Sequence, residues 1–291
     1  MRTFAFAAVF LAAAPALAQA PDAMPIIAAE RAFAADFPAM GLAGSFQKWG
    51  RADAILIGGG RAQTLEKLFE GAPLVRQPGE PLIEWWPTFA GVARSGDMGF
   101  TTGPAARNQE GYGHYFTVWM RQADGQWRWV YDGGSNASPA GQPGPDSQPR
   151  LLPVATLGSD APETAMTEVR ETEAGLAVAA AVDQKAAHLS VLAPDGRLYV
   201  APLSPAESPD AFATALDTWP ARFEFGATEG GGASGAGDMA WTYGPAAWIS
   251  KEGQSRTGHY MRLWQKRPGG WKLIMAQLIP APIAPPPPAG G

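Results

Sequence analysis

Two histidines stand in matching contexts in this 291-residue chain. Gly113-His114-Tyr115 returns as Gly258-His259-Tyr260, 145 residues later. A histidine titrates near neutral pH, so it can act as a general acid or base. Asp97 and Asp238 form a second matched pair, each following a glycine and preceding a methionine. An aspartate beside a histidine can orient the ring through its second nitrogen, or position a substrate hydroxyl. His114 with Asp97, and His259 with Asp238, are therefore the candidate catalytic residues. The alternatives are a histidine hydrogen-bonded at a strand end and an aspartate closing a Ser-Gly-Asp turn. Spacing alone does not choose between them. Trp85, Trp86, Tyr112 and Trp219 join the two histidines as candidate ligand-binding residues. A tryptophan wall suits an apolar or ring-shaped ligand, and equally a hydrophobic core.

Composition narrows the chemistry. The chain has no cysteine, which removes thiol catalysis, cysteine-held zinc and disulfides. Its three histidines, His114, His188 and His259, lie in separate segments without an H-x-H or HExxH pair, so no metal site is expected. Gly58-Gly59-Gly60-Arg61 lacks the spacing of a phosphate-binding loop, and no cofactor is expected. A net charge of -5 argues against a nucleic-acid partner. Residues 1–18 read as an export signal. Arg2 precedes an apolar core from Phe4 to Ala14, and Ala16-Leu17-Ala18 forms an A-x-A cleavage site, so the mature chain would begin at Gln19 in a periplasm or outside the cell. A buried N-terminal helix is the alternative. No later stretch is long and apolar enough to span a membrane.

The chain is also written twice. Gly96-Asp97-Met98-Gly99-Phe100-Thr101-Thr102-Gly103-Pro104-Ala105 and Gly237-Asp238-Met239-Ala240-Trp241-Thr242-Tyr243-Gly244-Pro245-Ala246 agree at seven of ten positions, 141 residues apart. Trp119 returns as Trp264, and Gly125-Gln126-Trp127 as Gly269-Gly270-Trp271. A period this long is a whole domain. The expected organisation is a first domain at 19–133, a turn-rich linker at 134–163, a second domain at 164–279, and a proline-rich tail at 280–291.

Elements follow from periodicity. Helices are expected at 25–40, 42–49 and 63–70, with Pro38 kinking or ending the first. Strands are expected at 54–57, 83–93, 97–103, 112–122 and 126–132. The second domain should hold a helix at 165–182, a hairpin at 189–200 around Pro194-Asp195-Gly196, and a helix at 209–217. Strands should follow at 219–228, 238–244, 256–266 and 271–278, with Gly230-Gly231-Gly232 in a flexible loop. Helices first and an antiparallel sheet last is an α+β plan. Alternation gives the paired strands two faces. His114, Phe116, Val118 and Met120, like His259, Met261 and Leu263, should face the domain interior. Tyr115, Trp119, Tyr260 and Trp264 should lie outside. Such exposed aromatic stripes mark an interface, which implies that the two domains pack sheet against sheet as an intrachain pseudo-dimer. A surface for sugars or aromatic groups is the alternative.

The Glu30-Arg31-Ala32-Phe33 helix, the Glu84-Trp85-Trp86-Pro87 segment, the Gly96–Pro104 strand and the Tyr115–Trp127 hairpin together resemble the SnoaL-like branch of the nuclear transport factor 2-like superfamily. The closest likeness is to an exported subgroup of domains of unknown function. The resemblance covers most of 25–133, and 165–279 more weakly. It implies two cone-shaped domains, each a curved antiparallel sheet wrapped around N-terminal helices, with a pocket in the cone. The superfamily includes isomerases, dehydratases, cyclases and binding domains, so the fold does not assign an activity. The reading is an exported protein that binds a small apolar or ring-containing molecule. A cofactor-free isomerase, dehydratase or hydrolase using a His-Asp pair is one alternative, and a protein-interaction module is another.

Overall fold

The computed structural model describes residues 21–283, apart from the side chain of Tyr112. The export signal at 1–18 and the end of the proline-rich tail lie outside the described residues. A long helix, α1 (Met24–Trp49), runs into β1 (Gly50–Gly58), which turns into β2 (Arg61–Thr64). One helical turn, α2 (Leu65–Leu68), and a long loop lead to β3 (Ile83–Trp85) and β4 (Phe89–Val92). The meander β5 (Met98–Arg107), β6 (Glu110–Arg121) and β7 (Trp127–Ser135) follows, and then β8 (Arg150–Leu151). The second half opens with α3 (Pro162–Val191), β9 (Leu192–Tyr199) and α4 (Pro209–Leu216). It continues with β10 (Glu224–Phe225), β11 (Gly230–Ala233) and the meander β12 (Met239–Ile249), β13 (Ser255–Arg267) and β14 (Gly270–Pro280).

The architecture is α+β, with one sheet to each half. The first sheet runs β2-β1-β7-β6-β5-β4-β8 with β3 beside β5; the second runs β10-β12-β13-β14-β9 with β11 beside β12. In each half the strand that follows the long helix pairs parallel with the last meander strand, β1 with β7 and β9 with β14. The meander registers slip at Val118/Trp119 and at Leu263/Trp264, corresponding positions in the two sheets. Such bulges bend and twist a sheet, and here they curl it around its helix.

Both faces of each sheet are covered. Nine of the ten residues of β5 are buried in an unbroken run rather than in alternation. One face packs on α1, where Ile26, Phe33 and Phe37 meet Trp85, Tyr115, Trp119 and Trp129. The other face, with Phe100, Phe116, Val118 and Tyr131, meets Met239, Trp241, Met261, Leu263 and Met275 of the second sheet. This corrects the assignment of faces. His114, Phe116 and Val118 lie between the sheets, while Tyr115, Thr117 and Trp119 point toward the helix. Apolar-polar alternation misleads here because neither face meets water, and the polar residues are drawn to a carboxyl group carried on the helix.

Local chemistry explains other departures. α1 continues through Pro38 and breaks instead at Gly41, whose φ of 67° is left-handed backbone. The helix restarts at Leu42, whose N–H donates to Glu80 Oε1 at 2.6 Å, and Arg76 N–H donates to Ala39 O. α3 breaks at Asp183, which caps its own restart by accepting from Ala186 N–H at 3.0 Å. Pro194-Asp195-Gly196 does not turn a hairpin. It bulges within β9, between Leu192 opposite Leu273 and Arg197 opposite Met275. The strand expected at 219–228 reduces to β10, leaving Trp219 in a loop, and Gly230-Gly231-Gly232 is not a loop but part of β11, paired with β12. The 134–163 stretch is no free spacer. It contributes β8 to the first sheet, and Pro153 O accepts from Gln265 Nε2 of the second.

Candidate functional site

The curved first sheet and α1 enclose a cavity of about 300 Å³. Its wall is largely aromatic, with Phe33, Phe37, Phe46 and Trp85. The polar side chains on it include Tyr115 from β6 and Asp132 from β7. Glu30 of α1 is fully buried behind this wall. It accepts from Trp85 Nε1 at 2.6 Å, Thr101 Oγ1 at 2.5 Å and Trp119 Nε1 at 3.0 Å. The sequence delivers these groups together because Thr101, Tyr115, Thr117 and Trp119 share the helix-facing side of adjacent strands.

Burial dominates the electrostatics. It raises the Glu30 carboxyl above its usual range, against the pull of its hydroxyl and indole donors. Asp132 is pushed up further, first by burial and then by Glu30, with Thr117 Oγ1 donating to it at 2.7 Å. Burial also raises the Tyr115 phenol, whose hydroxyl has no hydrogen-bond partner of good geometry among the described residues. The cavity lining therefore includes a carboxyl group that burial biases toward its neutral form. Such a carboxyl group can hydrogen-bond a guest, and a raised pKa suits proton transfer.

The second half holds a related but altered arrangement. Glu173 of α3 accepts from Thr242 Oγ1 at 2.5 Å and Trp264 Nε1 at 3.0 Å, as Glu30 does from Thr101 and Trp119. Where the first sheet has Thr117, the second has Arg262, ion-paired with Glu173 and 1% exposed. Its guanidinium lies 4.2 Å from the Phe225 ring and 4.1 Å from the Tyr260 ring. Ala276 stands opposite Arg262, where the first half sets Asp132 opposite Thr117.

The residues singled out from sequence are mostly elsewhere. Asp97 lies opposite Arg121 and His114 opposite Pro104, seven residues apart along β6, or about 23 Å. Asp238 and His259 are separated in the same way along β13. Neither Asp97 with His114 nor Asp238 with His259 forms a dyad. Both aspartates instead join the halves: Asp97 Oδ2 accepts from Gly235 N–H at 2.8 Å, and Asp238 Oδ2 from Arg94 N–H at 2.9 Å. His114 sits at the cavity edge with its ring against Tyr199 of the second half. Nδ1 donates to Ala137 O at 3.2 Å, and burial lowers its pKa to about 4, so the ring is neutral. His259 Nε2 lies 3.4 Å from Glu229 beside a separate groove. Trp85 lines the cavity. Trp86 donates to Pro143 O at 2.8 Å at the surface, and Trp219 packs edge-on to His188. Tyr112 lies on β6.

Glu30 and Asp132 escaped the sequence reading. Glu30 had a signal, since Glu173 recurs 143 residues on, close to the offset of the other repeated motifs. Asp132 had none, because the second half carries Ala276 there.

No protein-family model matches the chain, and no curated protein matches it. Solved structures are similar to about two-fifths of it. One is a cystatin-like-fold protein of unknown function from Nostoc punctiforme, at 21% identity over 41% of this chain and 93% of that one, with a TM-score of 0.33. Another is a nuclear transport factor 2-like protein with a cystatin-like fold from Novosphingobium aromaticivorans, at 18% identity over 39% and 79%, TM-score 0.32. A third is a nuclear transport factor 2-like superfamily protein from Salmonella enterica, at 12% identity over 44% and 99%, TM-score 0.33.

Proposed function

We propose that the first half binds a small molecule with an apolar or ring-containing framework in its cone, and that the second half is a scaffold. One observation carries this reading: an aromatic cavity of about 300 Å³ whose lining includes Asp132 and Tyr115. That volume lies at the small end of ligand sites, which run from about 300 to 1,000 Å³. A cofactor-free isomerase or dehydratase is the second reading. It rests on Asp132, whose raised titration suits proton transfer, and no longer on a His-Asp pair. We further infer that the halves descend from one domain and that the protein is exported. Matched motifs, matched bulges and the reciprocal bonds of Asp97 and Asp238 support the first inference, and the Arg2-to-Ala18 pattern supports the second.

Native mass spectrometry of protein purified from its own periplasm tests the set. The expected result is a mass beginning at Gln19 with a small-molecule adduct that leaves on unfolding. An apo mass, together with tryptophan fluorescence unmoved by one- and two-ring compounds, would overturn the binding reading.

A further inference from the structure

The second cone shows what its buried glutamate is matched to. Glu173 is neutralised by Arg262, whose guanidinium lies against both the Phe225 and Tyr260 rings. Each part of that box except the arginine has a counterpart in the first cone. Glu30 takes the place of Glu173, with the same threonine and tryptophan donors. Tyr115 takes the place of Tyr260. Trp85 takes the place of Phe225, since Trp85 pairs with Ala105 and Phe225 with Ala246, the matching ends of the repeated segment. Thr117 replaces Arg262, so the first box lacks its cation. Trp85, Tyr115 and Asp132 line the cavity.

Charge accounting points the same way. The first cone holds two buried carboxyl groups where the second holds one, and among the described residues no Lys or Arg is a main influence on Glu30 or Asp132. Indole and hydroxyl donors satisfy oxygen lone pairs but leave the charge unopposed, which is costly in a dry interior. An organic cation would oppose it. Its charged head would gain charge-assisted hydrogen bonds and the aromatic faces of Trp85 and Tyr115.

We infer that the first cone takes a cationic ligand, an amine, amidine or guanidine on an apolar or ring-containing framework, with its charged head where Arg262 stands in the second cone. This rests on the binding reading above and gives that site its ligand class.

The test titrates the full chain near neutral pH with benzamidine, a cation, and with benzamide, its neutral near-isostere, following tryptophan fluorescence and calorimetry. Benzamidine is expected to bind about tenfold tighter or more. Asp132→Asn should shrink that preference while benzamide binding persists. Thr117→Arg, which supplies the missing arginine from within, should abolish binding of both with the circular dichroism spectrum unchanged. If benzamide binds as well as benzamidine or better, the cation inference falls and the cavity reading stands. If neither probe binds and Thr117→Arg changes nothing, the cavity reading falls too. Should Thr117→Arg fail to fold, the Asp132→Asn comparison decides alone.

Discussion

Burying Asp132 in the same cone as Glu30 makes charging it costly, and that cost reads out as a dependence of stability on pH. A carboxyl group whose folded pKa is raised contributes stability that is full below its unfolded pKa and is lost as pH rises through the folded value. Asparagine has no proton to lose. Asp132→Asn should therefore gain stability over the parent as pH rises above about 4, by about 1.4 kcal/mol per unit until the folded pKa is passed. Urea denaturation in acid and in mild alkali measures this; a gap that is flat with pH would show that Asp132 does not titrate in the folded state. His114 and His188 act with the opposite sign. Burial lowers them to about 4 and about 3, so the stability they contribute as neutral rings is lost as pH falls from about 6.5. Matching one half of the sequence against the other favoured residues that occur twice, such as His114 and Asp97. The cavity's distinctive group, Asp132, occurs once, and its environment is set by burial and then by Glu30, about 100 residues away in sequence.

At the scale of elements, the break in α1 shapes the cavity, because Leu42 and Phe46 on its far side form part of the wall. Gly41 is held there by the loop that carries Arg76 and Glu80. A Cβ at this position would lie 2.5 Å from Glu80 Oε2 and 2.8 Å from the Arg76 Cα. Gly41→Ala should cost about 2 kcal/mol or more, from positive φ and collision together. Thermal and urea unfolding measure it, and a loss under about 0.5 kcal/mol would mean that the loop yields easily. The meander strands and the long helices were legible in sequence because their signals are local. β9 was not. Pro194-Asp195-Gly196 carries the composition of a turn, but parallel pairing of Leu192 and of Arg197–Tyr199 with β14, about 80 residues downstream, turns it into a bulge within one strand. Gly41 was hidden in the same way, since Pro38 is the stronger breaker by type and Glu80 decides from a distant loop.

At the scale of the molecule, two sheets meet back to back and their turns lock reciprocally. Asp97 of one turn binds the other turn's backbone, and Asp238 returns the contact. This is the pattern of an isologous interface, in which each side presents the same patch. The two ends differ in burial. Asp238 is fully buried and also accepts from Ser234 Oγ at 2.7 Å. Asp238→Ala should cost about 1–3 kcal/mol by orphaning buried donors. Asp97→Ala, at the exposed end, should cost less. Urea denaturation of the two variants separates them, and equal losses would show that burial does not set the strength of the lock.

In an assembly of identical subunits, a change in one site is a change in all of them, so no subunit can give up its guest and keep only a supporting role. Two halves on one polypeptide escape that constraint. Thr117 and Arg262 hold matching register positions in the two sheets, the first bonded to Asp132 and the second ion-paired with Glu173. On the binding function proposed above, the expected stoichiometry is one guest per chain, saturating without cooperativity, beside a second half whose Glu173 is already paired by Arg262.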